Sequence, residues 1–183
     1  MRQFLRSLKD LFLPPICICC HQCVVEESQG SVELICKECC EQYFESERRC
    51  KDRCTFCGFP IAVYMDSPTA PPFTCLECRQ WGFQFSATHY LGGYKGRLKE
   101  LVLQAKMKSG SPVGFALGQA IGVRLPTRMP DVVIPVPMHW RRKVMRQQTT
   151  AEVIALGIRS QIASPVTLET QSIRASRVTQ KQG

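Results

Sequence analysis

Twelve cysteines lie within the first 78 residues of this chain, and no cysteine follows them. The clearest unit is Cys54-Thr-Phe-Cys57, which seventeen residues separate from Cys75-Leu-Glu-Cys78. Two Cys-x-x-Cys pairs at such a separation are typical of a tetrahedral four-thiolate zinc site. Gly58 follows Cys57 and supplies the unusual backbone angle that such a turn often needs. The spacing therefore predicts a zinc site formed by Cys54, Cys57, Cys75 and Cys78.

An earlier set of cysteines repeats this arrangement. Cys36-Lys-Glu-Cys39 is one pair, and its partner is either Cys17 with Cys20 or Cys20 with Cys23, since both have the required spacing. We favour the first alternative, because that pair follows two prolines that make a loop entrance. The predicted ligands are then Cys17, Cys20, Cys36 and Cys39. The remaining sulfurs, which are buried small side chains or substitute ligands, belong to Cys19, Cys23, Cys40 and Cys50, and His21 is a further alternative ligand.

A zinc ion closed by four thiolates has no open coordination position, so it stabilises a fold and performs no chemistry. Metal binding then substitutes for a hydrophobic core that is too small to fold alone. Thiol–disulfide exchange is the competing function of a Cys-x-x-Cys pair. That motif normally occurs once, at a helix start that follows a strand, whereas here it recurs in short turn-rich segments. We therefore favour metal binding.

Residues 1–15 form a separate N-terminal amphipathic segment, in which Phe4, Leu8 and Leu11 fit one face of a short helix that packs on the protein. Charged residues interrupt it, so it lacks the apolar stretch of a secretory signal. No part of the chain approaches the roughly 20 apolar residues of a membrane span. We therefore expect a cytoplasmic protein in a reducing compartment, where paired cysteines bind metal.

The two halves of the chain differ in charge. Residues 1–80 carry nine Lys/Arg and eleven Asp/Glu, a net of −2, whereas residues 81–183 carry fifteen Lys/Arg and four acids, a net of +11. A basic half favours phosphate-bearing partners, either nucleic acid or a phosphorylated metabolite. The alternative is a surface charge that only keeps the protein soluble.

The second half has the pattern of an α/β domain. Alternating apolar residues predict a strand over 83–91, and apolar faces predict helices over 97–107, 113–123 and 149–160. The apolar run 132–134 is typical of a strand buried in a parallel sheet. Basic residues follow it, and a basic loop at the carboxyl end of such a strand is either an anion site or an exposed charged loop.

Three features together resemble the ComF-type competence protein family, which includes related phosphoribosyltransferase-like proteins. The first is the double cysteine ribbon that ends in Cys54–Cys78. The second is Tyr94-x-Gly96 leading into Leu101-Val-Leu-Gln-Ala-Lys106, and the third is Val133-Ile-Pro-Val-Pro-Met-His139 followed by basic residues. The resemblance implies a double zinc ribbon over 16–80 and an incomplete α/β domain of the type I phosphoribosyltransferase kind over 81–183.

The resemblance also implies roles for basic residues. In such folds the loop after the central strand contacts the pyrophosphate of phosphoribosyl pyrophosphate (PRPP). Arg141, Arg142 and Arg146 are the residues of this chain that would make those contacts, and Lys106 is a further candidate for binding an anion.

Two departures from the family pattern matter. Gln147-Gln-Thr149 stands where the family favours glycine, an aromatic residue and asparagine. The family's PRPP loop has two adjacent acids before Thr-Thr-Gly, and no two adjacent acids occur here after Glu27. We therefore expect a ComF-type protein associated with competence and DNA uptake, truncated before that loop and without transferase activity. The alternative is a zinc-ribbon module that binds single-stranded DNA or a partner protein of the competence machinery.

Overall fold

The computed structural model describes residues 16–22, 34–44, 53–54, 56–59, 74–81, 85, 87–125, 130–139 and 149–176. Several sequence predictions lie outside these ranges, namely those on segment 1–15 and on Cys23, Cys50, Arg141, Arg142 and Arg146. Among the helices that the structure describes, none combines the length and the apolar character needed to cross a membrane.

Two short helices organise the cysteine-rich region, and they begin in the same way. Helix α1 spans Lys37–Tyr43 and helix α2 spans Leu76–Trp81. The residue before each helix is a cysteine, Cys36 or Cys75, and the third residue of each helix is the buried second cysteine of the pair. Each Cys-x-x-Cys pair is therefore carried by the start of a helix.

The next two helices are the first helices of the second half of the chain. Helix α3 spans Gly96–Ala105 and buries Leu98, Leu101 and Ala105, the stripe expected from residues spaced three and four apart. Helix α4 spans Ser111–Gly122 and is apolar around most of its surface, with seven buried residues. The predictions of helices over 97–107 and 113–123 are confirmed.

Helix α5 spans Thr150–Ser160 and packs on α4 with the two backbones in close contact. A Cβ atom added at Gly118 would lie 2.1 Å from the Ile154 carbonyl oxygen, and one added at Gly157 would lie 2.1 Å from that of Phe115. No larger residue fits either position without moving a helix, so these glycines set the separation of α4 and α5. The prediction of a helix over 149–160 is confirmed.

Two short parallel strands flank α5 in the chain. Strand β1 spans Val132–Val133, strand β2 spans Thr167–Leu168, and Val132 lies opposite Thr167. Since the chain runs from β1 through α5 to β2, this is a parallel strand–helix–strand unit. The crossover helix begins at a capping box, in which the Thr149 hydroxyl accepts a hydrogen bond from the Glu152 amide and the Glu152 carboxylate accepts one from the Thr149 amide.

Two strand predictions need correction. No strand is present in the described part of 83–91, which comprises residues 85 and 87–91; Tyr90 packs its ring against Gly58 there. The strand expected in the apolar run 132–134 is present at Val132–Val133 and pairs in parallel with β2, but the expected burial is wrong. Val132 is 46% exposed and Ile134 is 45% exposed, since β1 belongs to a sheet that has only two strands among the described residues.

One hydrophobic cluster joins the first cysteine region to the helices of the second half. It contains Cys17, Ile35 and Phe44 from the cysteine-rich region together with residues of α3 and α4, among them Leu101 and Ala116. Leu101 and Ala116 are fully buried. The cysteine-rich segment before the predicted boundary near residue 80 and the helices after it therefore contribute to the same hydrophobic cluster.

Candidate metal centres and ligand cleft

The structure brings eight cysteines together in two groups of four. In each group, all four Sγ atoms lie within 4.8 Å of one another. The first metal site consists of Cys17, Cys20, Cys36 and Cys39, and the second metal site consists of Cys54, Cys57, Cys75 and Cys78. Of the two pairings left open by the sequence for the first site, the one that places Cys17 with Cys20 is the arrangement found.

The sulfur–sulfur distances fit a tetrahedral metal ion. A metal with sulfur bonds of about 2.3 Å places neighbouring sulfurs roughly 3.8 Å apart at the corners of a tetrahedron. The Cys20 and Cys36 Sγ atoms are 3.7 Å apart, and those of Cys57 and Cys75 are also 3.7 Å apart. A disulfide would require about 2.05 Å, and all the described cysteines are free. The donor set therefore fits two closed four-thiolate sites.

The first Cys-x-x-Cys turn of each site has the same backbone geometry. The residue after the second cysteine has a positive φ angle, 60° at His21 and 73° at Gly58. Its amide donates to the carbonyl of the first cysteine, at 2.8 Å in the first site and 2.9 Å in the second. His21 thus occupies a position that ordinarily favours glycine, and it belongs to neither group of candidate ligands.

In each site, a backbone amide donates a hydrogen bond to the sulfur of the first cysteine in the chain. The Cys36 amide donates to the Cys17 Sγ at 3.3 Å, and the Cys75 amide donates to the Cys54 Sγ at 3.4 Å. Hydrogen bonds of this kind stabilise the thiolate form. They are the same in both sites, so the two modules repeat one local structure.

The pKa values follow from this geometry. Burial opposes ionisation of Cys17, but hydrogen bonds from the backbone amides of Cys36, Cys20 and Cys19 outweigh it and lower its pKa to about 6. Burial likewise opposes ionisation of Cys54, and the amides of Cys57, Cys75 and Phe56 lower its pKa to about 6. Burial raises the pKa of Cys36 to about 11 and also raises the pKa values of Cys39 and Cys78. The lowered pKa values of Cys17 and Cys54 favour the thiolate form, which is the form that binds a metal, at one position of each site.

Arg97 of α3 ties the first metal site to the helices. Its guanidinium donates to the carbonyls of Ile18 and Cys19, at 3.1 and 3.0 Å, and forms an ion pair with Glu100 at 2.7 Å. Its hydrogen bonds therefore hold the turn between Cys17 and Cys20 against α3.

Two further cysteines lie near the first site without belonging to it. Burial raises the pKa of Cys19 to about 11 and that of Cys40 to about 12. Thiols that ionise so weakly near neutral pH behave as small hydrophobic side chains. Of the alternatives left open for the extra cysteines, the structure places these two in the role of packing residues.

A cleft of about 450 Å³ lies at the carboxyl ends of the two strands. Segment 135–138 follows β1 and lines one side, segment 170–175 follows β2, and Glu152 of α5 completes the lining. Arg174 contributes a guanidinium to it. In α/β folds with parallel strands, ligands bind at this end of the strands. The cleft is therefore the candidate ligand site of the second half.

Of the four residues that the sequence suggested for anion binding, the structure describes Lys106 alone. Lys106 is exposed at the end of α3 and does not line the cleft among the described residues. Arg141, Arg142 and Arg146 lie outside the described residues. Sequence reasoning missed Arg174 because it recognised no second strand. The signal was the short run Val166-Thr-Leu168 after a helix, which is the place for the second strand of such a unit.

Comparison of the chain with protein-family models, curated proteins and solved structures gave no match.

Proposed function

We propose that each cysteine group binds one zinc ion that stabilises the fold. Four sulfur donors at tetrahedral distances suit zinc or iron. Zinc is favoured because closed four-thiolate sites are typical of structural zinc and because the resemblance implies a double zinc ribbon. Elemental analysis of the purified chain should find two zinc ions per chain and no visible absorption from iron. One equivalent or fewer, or an iron–thiolate spectrum, contradicts the proposal.

We further propose that the second half is a ComF-type, phosphoribosyltransferase-like domain that binds a phosphoribosyl ligand. The observation that carries this proposal is the cleft at the carboxyl ends of β1 and β2. A phosphorylated sugar needs cations and backbone donors, and Arg174 supplies one cation. The ligand is a phosphorylated ribose, because that class of compound is what the resemblance implies.

The proposal includes the basic segment with Arg141, Arg142 and Arg146, because this segment connects two residues that line the cleft. It connects Met138, which lines the cleft, to Glu152, which lines it on another side. Only thirteen residues separate these two positions in the chain. We assign the three arginines to the pyrophosphate of the ligand, as the resemblance implies. Transfer of the phosphoribosyl group forms no part of the proposal, since the chain carries no adjacent acids after Glu27 to hold the ribose hydroxyls.

Calorimetric titration with PRPP and magnesium tests the ligand. We expect saturable binding that inorganic pyrophosphate competes away. Replacing Arg174 with alanine should weaken the affinity roughly tenfold, as expected for loss of one charge-assisted hydrogen bond. Arg159→Ala is the matched control, because Arg159 is exposed in the last turn of α5 and does not line the cleft. Absence of binding by the zinc-loaded protein contradicts the proposal, and equal losses in both variants would contradict the assignment to the cleft.

Binding of single-stranded DNA is a second candidate, and one contact favours it. Tyr94 is 58% exposed, and the Lys99 Nζ lies 6.0 Å from the centre of its ring. An exposed aromatic ring beside lysines is the unit on which an unpaired base stacks while the phosphate meets a cation. Affinity for an oligonucleotide should then fall steeply with salt and fall further in Tyr94→Ala. Salt-independent or undetectable binding contradicts this candidate. Association with competence proteins follows only from the resemblance and is part of the same proposal.

A further inference from the structure

The two metal sites share their donors and their turns but differ in their surroundings. Each has four sulfurs, a positive φ angle after the first pair, and one amide hydrogen bond across the site. The local contribution to metal affinity is therefore similar in both. Any difference in how readily the metal leaves must come from what opening the site exposes to water.

Opening the first metal site would expose the core. Cys17 is fully buried and Cys39 is 4% exposed, and both lie in the hydrophobic cluster that includes residues of α3 and α4. Ile35, at 1% exposure, and Phe44, at 2%, flank its second pair and lie in the same cluster. Arg97 holds the carbonyls of the turn between the first two ligands. Release of this metal therefore requires disruption of apolar packing that the helices share.

The second metal site lies outside this cluster of the described residues. Cys54 is 2% exposed and Cys78 is 8% exposed, but neither belongs to the cluster, and Cys57 is exposed. The helix that carries its second pair leaves Leu76 72% exposed and Trp81 71% exposed. The contact described between this site and the second half is the Tyr90 ring, which packs against Gly58 and stacks with Arg53 at 5.3 Å. Among the described residues, opening this site exposes no part of the hydrophobic cluster.

We propose that the second metal site is an exchangeable one, which releases and rebinds its ion while the first site keeps its own. This inference rests on the proposed metal binding. An exchangeable site lets this end of the protein respond to the supply of metal while the core and the cleft stay folded. Release from either site costs the metal–sulfur bonds, and release from the first site carries the additional cost of exposing the cluster.

Kinetics of zinc release test the inference on the full chain. The zinc-loaded protein is mixed with excess chelator and a colorimetric zinc indicator at neutral pH. We expect two phases of one equivalent each, with rates that differ at least tenfold. Hydrogen exchange followed by mass spectrometry should show that peptides covering 74–81 lose protection in the fast phase, while peptides covering 34–44 and 96–105 stay protected until the slow phase.

A variant assigns the phases. Cys75→Ser should abolish the fast phase and leave the slow equivalent and the protection of 96–105 unchanged. Release of both ions in one phase, or earlier exposure of 34–44 than of 74–81, overturns the inference and leaves the proposal of two zinc sites intact. A chain that binds no zinc overturns both. Because the wild-type release curve and its exchange pattern decide the matter alone, a variant that fails to fold does not prevent the test.

Discussion

The cysteine-rich region and the α4–α5 helix pair achieve close packing by opposite means. In the first, side chains converge on a point: four sulfurs fit one ion, and the helices around them have only seven and six residues. In the second, the backbones of α4 and α5 come into contact because Gly118 and Gly157 carry no side chain. The difference teaches that a short segment needs a metal to hold its ends together, whereas longer helices need only a matching surface.

Metal removal should have the largest effect and should separate the two regions. Exhaustive chelation removes a folding contribution on the order of 10 kcal/mol per site, so α1 and α2 should unfold. The contact between α4 and α5 contains no metal ligand and should persist. Hydrogen exchange after exhaustive dialysis against chelator measures this: peptides over 34–44 and 74–81 should exchange rapidly, and those over 150–160 slowly. Equal loss of protection everywhere would show that the helix pair depends on the metals.

Substitution of Gly118 by alanine should have the next largest effect. The new methyl group would lie 2.1 Å from the Ile154 carbonyl oxygen, which belongs to backbone and moves only with its helix. Overpacking of this kind costs about 3 kcal/mol, and chemical denaturation of the zinc-loaded protein measures it. The zinc content should stay unchanged, since the metal sites lie in the other region.

Gly114→Ala is the matched control on the same face of α4. Its added Cβ would lie 3.3 Å from the Val153 Cγ1, so a side-chain shift of a few tenths of an ångström would relieve the contact. Alanine also gains roughly 1 kcal/mol in helix propensity over glycine, so the net change should be within about 1 kcal/mol. If both variants lost the same free energy of unfolding, close backbone contact at Gly118 would not be the reason for its glycine.

The same comparison explains what the sequence could predict. The second cysteine group was predicted to the residue, and the first was predicted with one pair left open between Cys17/Cys20 and Cys20/Cys23, because Cys-x-x-Cys spacing reflects the short reach of a metal–sulfur bond. The helices α3 and α5 were predicted within a few residues, since their apolar residues recur at helical intervals. Signals of this kind depend on neighbours along the chain.

Features that depend on distant residues were missed. The alternation from Phe83 to Leu91 predicted a strand, yet a strand forms only if another pairs with it, and no such partner is described. Strand β2 has two residues, and its only sequence signal is the short run Val166-Thr-Leu168, so Arg174, which follows it and lines the cleft, went unrecognised. The role of Arg97 was equally hidden, because its carbonyl partners lie 78 and 79 residues away in the chain.

Replacing Arg97 with methionine tests the link between the two regions. Methionine keeps an apolar stem but leaves the carbonyls of Ile18 and Cys19 without these donors, which costs about 2 kcal/mol. The first metal site should also lose its zinc faster. Arg79→Met is the control, because Arg79 is exposed on α2 and a surface change of this kind stays within about 0.5 kcal/mol. Unchanged stability and zinc release in Arg97→Met would show that Arg97 is not a structural link.

The smallest expected effect lies at the start of α5, where neither metal nor close backbone contact is involved. Thr149 is 2% exposed, and its hydroxyl accepts the Glu152 amide at 3.2 Å. Thr149→Ala removes this cap and should cost about 1 kcal/mol, or roughly 2–4 °C in Tm for a chain of this size. Thr149→Ser keeps the hydroxyl and should retain most of the stability. Equal losses in both variants would assign the effect to the buried methyl group of Thr149 instead of the cap, and the start of α5 would then be stabilised by packing.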